Sequence, residues 1–304
     1  MSQAELAGVI NLLEEVLLGK RREIKLSLAC LLARGHLLLE DLPGMGKTTL
    51  SHALAKVLGL TYQRIQFTSD LLPGDILGGE VFNPHTQEFT LHKGPIFTEV
   101  LLADEINRTT PKSQSALLEA MEERQVTIGN HSYDLPESFF VIATQNPVSY
   151  AAGTYPLPDS QLDRFLMRIS LGYPSFEAEK SILKGENRAA SSALPERFSR
   201  EALQTAQAEV ATIHASDEII HYILNIAQYT RTHSEFSIGL SPRGTQALLG
   251  ASRAYAYLSG RDYVIPEDVK MVMPSVCTHR LRDQHRSGEE HRLVERILTD
   301  VNIL

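Results

Sequence analysis

The sequence predicts an α/β fold, in which a parallel five-stranded sheet flanked by helices is followed by a small all-helical domain. From residue 35 to about residue 171, short apolar runs alternate with helical patterns, as expected of a parallel sheet covered on both faces. After Tyr173 and Pro174 the strand signals stop and only helical patterns follow. We therefore predict an αβα domain over residues 1–173 and an all-helical domain over residues 174–304.

Five apolar segments are the predicted strands of this sheet. They cover residues 36–40, 62–67, 100–104, 139–144 and 165–171. Between the first two, Leu50, Leu54 and Val57 recur at helical spacing and Gly59 is suited to end the helix, which predicts one βαβ unit. Residues 80–91 and 126–133 predict two hairpins added to the sheet, the second across Gly129-Asn130.

Helical periodicity accounts for the ends of the chain. An amphipathic helix is predicted over residues 1–19. In the second domain the predicted helices are residues 177–184, 200–213, 217–231, 242–258, 266–279 and 289–297.

Composition restricts the classes of function. Of the 304 residues, 43% are apolar and 22% are charged, as in a soluble globular protein, and a formal charge of −8 disfavours non-specific binding to nucleic acid. Cys30 and Cys277 lack metal-ligand spacing, which favours buried thiols in a reducing compartment. No apolar run reaches the roughly 18 residues of a membrane helix, and the N-terminal helix carries acidic residues unlike a signal peptide, so we expect a cytoplasmic protein.

The glycine-rich segment from Asp41 to Thr48 is predicted to bind the phosphates of a nucleoside triphosphate. It follows an apolar strand and leads into a helix, so that backbone N–H groups and the helix N-terminus attract phosphate charge. Lys47 is expected to bridge the β- and γ-phosphates, and the Thr48 hydroxyl to bind Mg²⁺. Asp41 stands where the first glycine of such loops is expected. The alternative is a glycine-rich turn before an ordinary helix.

Two carboxylates, Asp104 and Glu105, follow the predicted strand at residues 100–104. In this order behind a phosphate loop, Asp104 is expected to hold Mg²⁺ and Glu105 to activate the attacking water as general base. In isolation, two acids at a strand end would only indicate a solvated terminus.

Asn146 follows the strand at residues 139–144 and could orient the same water, although an Asn-Pro pair also starts turns. The phosphate loop, the two carboxylates and Asn146 all lie at the carboxyl ends of predicted parallel strands. Open α/β sheets bind ligands at that edge, which favours the functional interpretation of all three.

Two arginines complete the candidate set. Arg164 precedes the last strand and is a candidate arginine finger, the alternative being a surface arginine in a local ion pair of about 0–1 kcal/mol. Arg243 lies in the first turn of a helix capped by Ser241, where a cation is mildly disfavoured by the helix dipole unless it contacts phosphate.

In this order the motifs resemble those of the AAA+ P-loop ATPases, and in detail those of the MoxR-like branch. The resemblance covers nearly the whole chain. Its carriers are residues 40–48 (EDLPGMGKT), 102–108 (LADEINR), 143–147 (ATQNP), 162–165 (LDRF), 241–243 (SPR), 265–269 (IPEDV) and 68–78 (TSDLLPGDILG).

The resemblance implies roles for single residues. Lys47 and Thr48 would belong to Walker A, Asp104 and Glu105 to Walker B, Asn146 would be sensor 1 and Arg243 sensor 2. Arg164 matches the arginine finger, which acts on the ATP of the neighbouring subunit. The expected nucleotide contacts are Asp41, Pro43, Gly44, Met45, Gly46, Lys47, Thr48, Thr49 and Arg243, with Thr48 and Asp104 as Mg²⁺ ligands.

The same resemblance implies an ATPase that forms a hexameric ring with a helical lid and hairpin inserts. It also implies a chaperone that remodels, matures or assembles protein partners, among them proteins with a von Willebrand factor A domain. Two alternatives stay open: a nucleic-acid motor, which the net charge of −8 disfavours, and a nucleotide-dependent switch with little turnover.

Overall fold

The computed structural model of the chain describes residues 3–85, 87–147, 153–185, 194–195, 198–284 and 290–302. The chain divides into two compact units that interleave along the sequence. One comprises Met1–Leu37, Phe165–Ile169 and Glu201–Leu304, and the other comprises Leu38–Arg164 and Ser170–Arg200. The N-terminal helices thus share a unit with the C-terminal helices, and the predicted domain boundary between residues 173 and 174 stays a prediction.

Helices and short strands alternate in the first part of the chain. In order they are α1 (Gln3–Val16), α2 (Arg21–Leu32), β1 (Leu37–Glu40), α3 (Lys47–Val57), β2 (Tyr62–Gln66), α4 (Pro73–Leu77), β3 (Gly78–Asn83), β4 (Glu88–Lys93), β5 (Val100–Asp104), a 3₁₀ turn (Ile106–Arg108), α5 (Pro111–Glu123), β6 (Gln125–Ile128), β7 (His131–Asp134), β8 (Phe140–Gln145) and α6 (Asp159–Leu162). The predicted N-terminal helix is confirmed as α1, whose Leu6, Val9 and Leu13 are buried, but it ends at Val16, three residues before the predicted end. Met1 and Ser2 lie outside the described residues.

The second part of the chain is mainly helical, as predicted. Its elements are β9 (Met167–Ile169), α7 (Phe176–Leu183), α8 (Arg200–Thr212), α9 (Asp217–Thr232), β10 (Phe236–Ile238), α10 (Pro242–Leu258), α11 (Pro266–Cys277), β11 (Arg282–Asp283) and α12 (Glu290–Asp300). Glu289, the predicted first residue of the last helix, lies outside the described residues. Strands β10 and β11 pair antiparallel, which corrects the prediction of helices alone. Strands this short carry no readable alternation of apolar and polar residues.

The predicted five-stranded sheet is confirmed, with the strand order β2-β5-β8-β1-β9. β5 pairs in parallel with β2 on one side and with β8 on the other. Every residue of β5 and β8 is buried, which explains why these strands read as unbroken apolar runs. Parallel pairing brings the carboxyl ends of β2, β5 and β8 to one edge of the sheet.

Both predicted hairpins are confirmed by their paired strands, and Thr86, which falls within the first prediction, lies outside the described residues. β3 pairs antiparallel with β4 from Gly78↔Lys93 to Asn83↔Glu88. β6 pairs with β7 across Gly129-Asn130, with Ile128 opposite His131. Gly129 has φ +59°, the left-handed conformation that a two-residue hairpin turn requires.

Candidate active site

The predicted phosphate-binding loop connects β1 to α3. Gly44 and Gly46 have φ values of 86° and 91°, which glycine adopts without steric cost. Gly46 precedes Lys47, the first residue of α3, so the loop ends at a helix N-terminus. Lys47 is buried whereas Thr48 and Thr49 are exposed. The loop therefore has the backbone geometry and the hydroxyl groups that a triphosphate site needs.

Asp41 uses its carboxylate inside the protein. Its Oδ2 accepts hydrogen bonds from the backbone N–H groups of Gly172, at 3.0 Å, and of Leu171. Among the described residues, positive φ outside glycine occurs only at Arg34, Gln87, Glu105 and Arg124, so the backbone at position 41 does not require glycine. A contact of Asp41 with nucleotide would therefore come from its backbone.

The Lys47 ammonium lies between the loop and the end of β8. Its Nζ donates to the backbone carbonyl of Asp41 at 2.6 Å and to the Asn146 side-chain oxygen at 3.2 Å. Burial lowers the pKa of Lys47, while the charges of Asp41, Asp104 and Glu105 act in the opposite direction. The charge of the Lys47 ammonium therefore interacts with the charges of Asp41, Asp104 and Glu105, three of the predicted site residues.

Asp104 is held from both neighbouring strands. Its Oδ1 accepts a hydrogen bond from Thr144 Oγ1 at 2.6 Å, and its Oδ2 accepts from Arg64 Nη2 at 2.6 Å. Arg64 lies on β2 and Thr144 on β8. Sequence reasoning missed both partners, because their proximity depends on the strand order.

Glu105 occupies a strained position directly after β5. Its φ is 56°, a left-handed conformation that is uncommon outside glycine and that often occurs at functional sites. The backbone N–H of Glu105 donates to Thr144 Oγ1 at 2.9 Å. Its carboxylate accepts from Arg108 at 2.9 Å, from Gln66 at 3.1 Å and from Asn146 at 3.2 Å. These contacts fix the direction of a carboxylate that remains partly exposed.

The Asn146 amide bridges Lys47 and Glu105. Its oxygen accepts from Lys47 Nζ, and its nitrogen donates to Glu105 Oε1. Asn107, in the 3₁₀ turn, donates to the Asn146 backbone carbonyl at 3.3 Å. These hydrogen bonds therefore join three predicted site residues, two of which follow the ends of β5 and β8.

The residues expected to hold Mg²⁺ have the appropriate chemistry. The Thr48 hydroxyl and the Asp104 carboxylate are hard oxygen donors, the type that Mg²⁺ prefers. The described residues contain no group of three or more His, Cys, Asp or Glu side chains arranged to hold a metal. The set fits Mg²⁺, which usually takes most of its ligands from water and phosphate.

The two candidate arginines belong to different compact units. Arg164 Nη2 forms an ion pair with Glu122 Oε2 at 3.0 Å. Arg243 lies in the first turn of α10, where Ser241 Oγ accepts from the Gly244 N–H at 3.0 Å and confirms the predicted N-cap. Arg243 belongs to the other compact unit, and its role stays a prediction.

Comparison with known proteins identifies the family. Residues 36–167 match the family described as "ATPase family associated with various cellular activities (AAA)", and residues 228–301 match the family described as "AAA lid domain". Chaperone MoxR1 of Mycobacterium tuberculosis is 39% identical over 277 residues, covering 88% of this chain and 73% of that protein. The chain belongs to the MoxR-like AAA ATPases.

Two further similarities extend over most of this AAA ATPase. The YeaC protein of Bacillus subtilis is 49% identical over 277 residues, covering 91% of this chain and 86% of YeaC. A crystal structure of a Cytophaga hutchinsonii protein superposes with a TM-score of 0.87 at 36% identity, covering 99% of this chain and 95% of that one. The predicted family and fold class are confirmed, and the family implies nucleotide hydrolysis.

The family matches contain the candidate residues. The phosphate loop, Asp104, Glu105, Asn146 and Arg164 lie within the AAA match, and Arg243 lies within the lid match. Among the helices of the described ranges, none has the length and apolarity that a membrane crossing requires.

Proposed function

We propose that this MoxR-like ATPase hydrolyses Mg²⁺-bound ATP within a homo-oligomeric, hexameric ring and uses the energy to remodel, mature or assemble protein partners in the cytoplasm. The observation that carries the proposal is the chain Lys47–Asn146–Glu105, in which one amide links a phosphate-binding cation to a general base. The family implies the hydrolysis, while the residue roles, the ring and the partners are our inference.

Each of the three side chains in this hydrogen-bonded series has a defined task. Lys47 binds the β- and γ-phosphates, and Asn146 holds the water or the γ-phosphate beside Glu105. Glu105 accepts a proton from the attacking water, a contribution of about 10²–10⁴ in rate for general base catalysis. Bound Mg²⁺ would be held by Thr48 and Asp104, and its chemical contribution is to neutralise phosphate charge.

Arg164 makes assembly part of the reaction. It contacts Glu122 and, within the described residues, forms no hydrogen bond or ion pair with Lys47, Glu105 or Asn146 of its own subunit. This placement supports a role on the ATP of a neighbouring subunit. An arginine finger contributes about 10³–10⁵ in rate, so an isolated subunit would turn over slowly.

The exposed apolar side chains of the hairpin β3–β4 favour the binding of a protein partner. The side chains of Val81, Phe82 and Phe89 are 50%, 50% and 67% exposed, and the two rings lie 5.4 Å apart between centroids. Exposed apolar groups of this kind are typical of interaction sites. The relative MoxR1 is named a chaperone, and we extend that role to this chain, with proteins carrying a von Willebrand factor A domain as the expected partners.

The substitution Glu105→Gln tests the proposal, because it removes the base and preserves side-chain shape. We expect ATP binding within about twofold of wild type, measured with a fluorescent ATP analogue, and phosphate release slower by at least about 10²-fold. Glu119→Gln, an exposed position on α5, is the matched control and should leave both unchanged.

If Glu105→Gln hydrolysed ATP at the wild-type rate, Glu105 could not be the general base. The trapped ATP-bound form should also retain protein partners after affinity purification. Stimulation of the wild-type ATPase by single-stranded DNA, with no retained protein, would favour a nucleic-acid motor instead.

A further inference from the structure

Among the described residues, the Arg164 side chain has one charged partner, the Glu122 carboxylate. The pair Arg164 Nη2–Glu122 Oε2 spans 3.0 Å, and the two side chains are 29% and 33% exposed. A guanidinium carries five N–H donors, so one contact leaves others able to reach a phosphate. The pair therefore orients the guanidinium without removing it from reach.

Helix α5 contacts both the segment that precedes Arg164 and the side chain of Arg164. Gln161, in α6, donates from its amide to Ser115 Oγ at 3.2 Å. Ser115 and Glu122 are about two helical turns apart on α5, which places them on the same face of that helix. One face of α5 thus contacts both α6, which precedes Arg164, and the Arg164 side chain. These contacts fix the position of Arg164 and the direction of its guanidinium.

The same helix is tied to the predicted base of its own subunit. Glu105 is followed by the 3₁₀ turn Ile106–Arg108 and then by α5. The buried Gln114, in the first part of α5, donates to the backbone carbonyls of Ile106 at 3.2 Å and Thr109 at 3.3 Å. Helix α5 consequently connects the predicted base of one site to the arginine expected to serve the next site.

We propose that Glu122 is the positioning residue for Arg164, setting the direction in which the guanidinium meets the ATP of the neighbouring subunit. This inference rests on the proposed function of Arg164. An unpaired arginine samples many rotamers, and restricting it beforehand reduces the ordering required in the transition state. Partly exposed ion pairs are weak, so the guanidinium can exchange from Glu122 onto a phosphate.

Kinetics of Glu122→Gln provide the first test. We expect kcat to fall about tenfold while the KM for ATP stays within about twofold, because only the transition-state contact is affected. Glu123→Gln, the adjacent exposed residue on α5, is the matched control and should leave kcat unchanged. Adding Glu122→Gln to Arg164→Ala should cause no further loss, since Glu122 acts through Arg164. Unchanged or increased kcat in Glu122→Gln overturns the inference.

Mixed oligomers separate an effect on the neighbour from an effect within the subunit. Glu105→Gln subunits lack the base but keep Glu122 and Arg164, whereas Glu122→Gln subunits keep the base. We expect turnover per Glu122→Gln subunit to rise towards the wild-type value when Glu105→Gln subunits are added, as it should for Arg164→Ala subunits.

The outcomes are distinguishable. Rescue of Arg164→Ala without rescue of Glu122→Gln would show that Glu122 acts within its own subunit, and would overturn the inference alone. Wild-type turnover by Arg164→Ala would overturn the proposed arginine finger and this inference with it.

Discussion

Two glutamates flank the same central strand and are used in opposite ways. Glu99 precedes β5 and Glu105 follows it. The exposed fraction of the side chain is 3% for Glu99 and 22% for Glu105. Glu99 accepts from the backbone N–H and the hydroxyl of Thr61 at 2.9 and 3.1 Å, and pairs with Arg200 at 2.5 Å.

The partners explain the difference between the two ends of the strand. Glu99 is buried, accepts two hydrogen bonds from Thr61 and forms an ion pair with Arg200, so this acid ties Arg200 to the end of the sheet. Glu105 is held by side chains of Gln66, Arg108 and Asn146, which fix its direction and leave it accessible. The amino-terminal end of β5 is therefore a structural anchor, and the carboxyl-terminal end holds an acid available for chemistry.

Glu99→Gln should produce the larger effect of the two changes that test this contrast, and it should affect stability. The substitution removes the charge paired with Arg200 and places an amide where only acceptors fit, at a cost of about 1–3 kcal/mol in the free energy of unfolding. Urea denaturation measures this cost. Turnover per folded molecule should stay at the wild-type value.

A matched control for that change is Glu119→Gln, an exposed position on α5 and outside the strand. It should alter the free energy of unfolding by less than about 0.5 kcal/mol. If Glu99→Gln were as stable as this control, Glu99 would not be an anchor.

Thr144→Val should produce the smaller effect, and on turnover. The hydroxyl of Thr144 donates to Asp104 Oδ1 at 2.6 Å and accepts from the Glu105 N–H at 2.9 Å, so valine removes support from both acids at constant shape. We expect ATP turnover to fall about fivefold, equivalent to roughly 1 kcal/mol of barrier. Steady-state phosphate release measures it, with the exposed Thr127→Val on β6 as control. Equal rates in the two variants would contradict the role of Thr144.

The sequence was sufficient to predict the three residues that the hydrogen bonds join. Lys47, Glu105 and Asn146 follow apolar runs in the expected order, and the structure joins them by hydrogen bonds. Arg64 and Thr144 were missed. Both belong to strands adjacent to β5 in space, and the strand order β2-β5-β8 cannot be predicted from the local periodicity of the sequence.

The same limit applies to the fold. The strands of the central sheet and both hairpins were predictable from apolar runs and turn residues, and the structure confirms them. Helix α2 was missed because residues Leu26 to Leu32 are all buried, which gives no alternation with polar residues. For Arg164 an ion pair was the alternative interpretation, and the structure shows one with Glu122, a partner too far away in sequence to be identified from a local pattern.

The central claim is that the Asn146 amide makes Lys47 and Glu105 one site. Single-turnover hydrolysis by Asn146→Ala tests it most directly, because this rate excludes product release. We predict at least about tenfold slower hydrolysis, with the affinity for ATP within about twofold of wild type. A single-turnover rate equal to that of the wild type would contradict the claim.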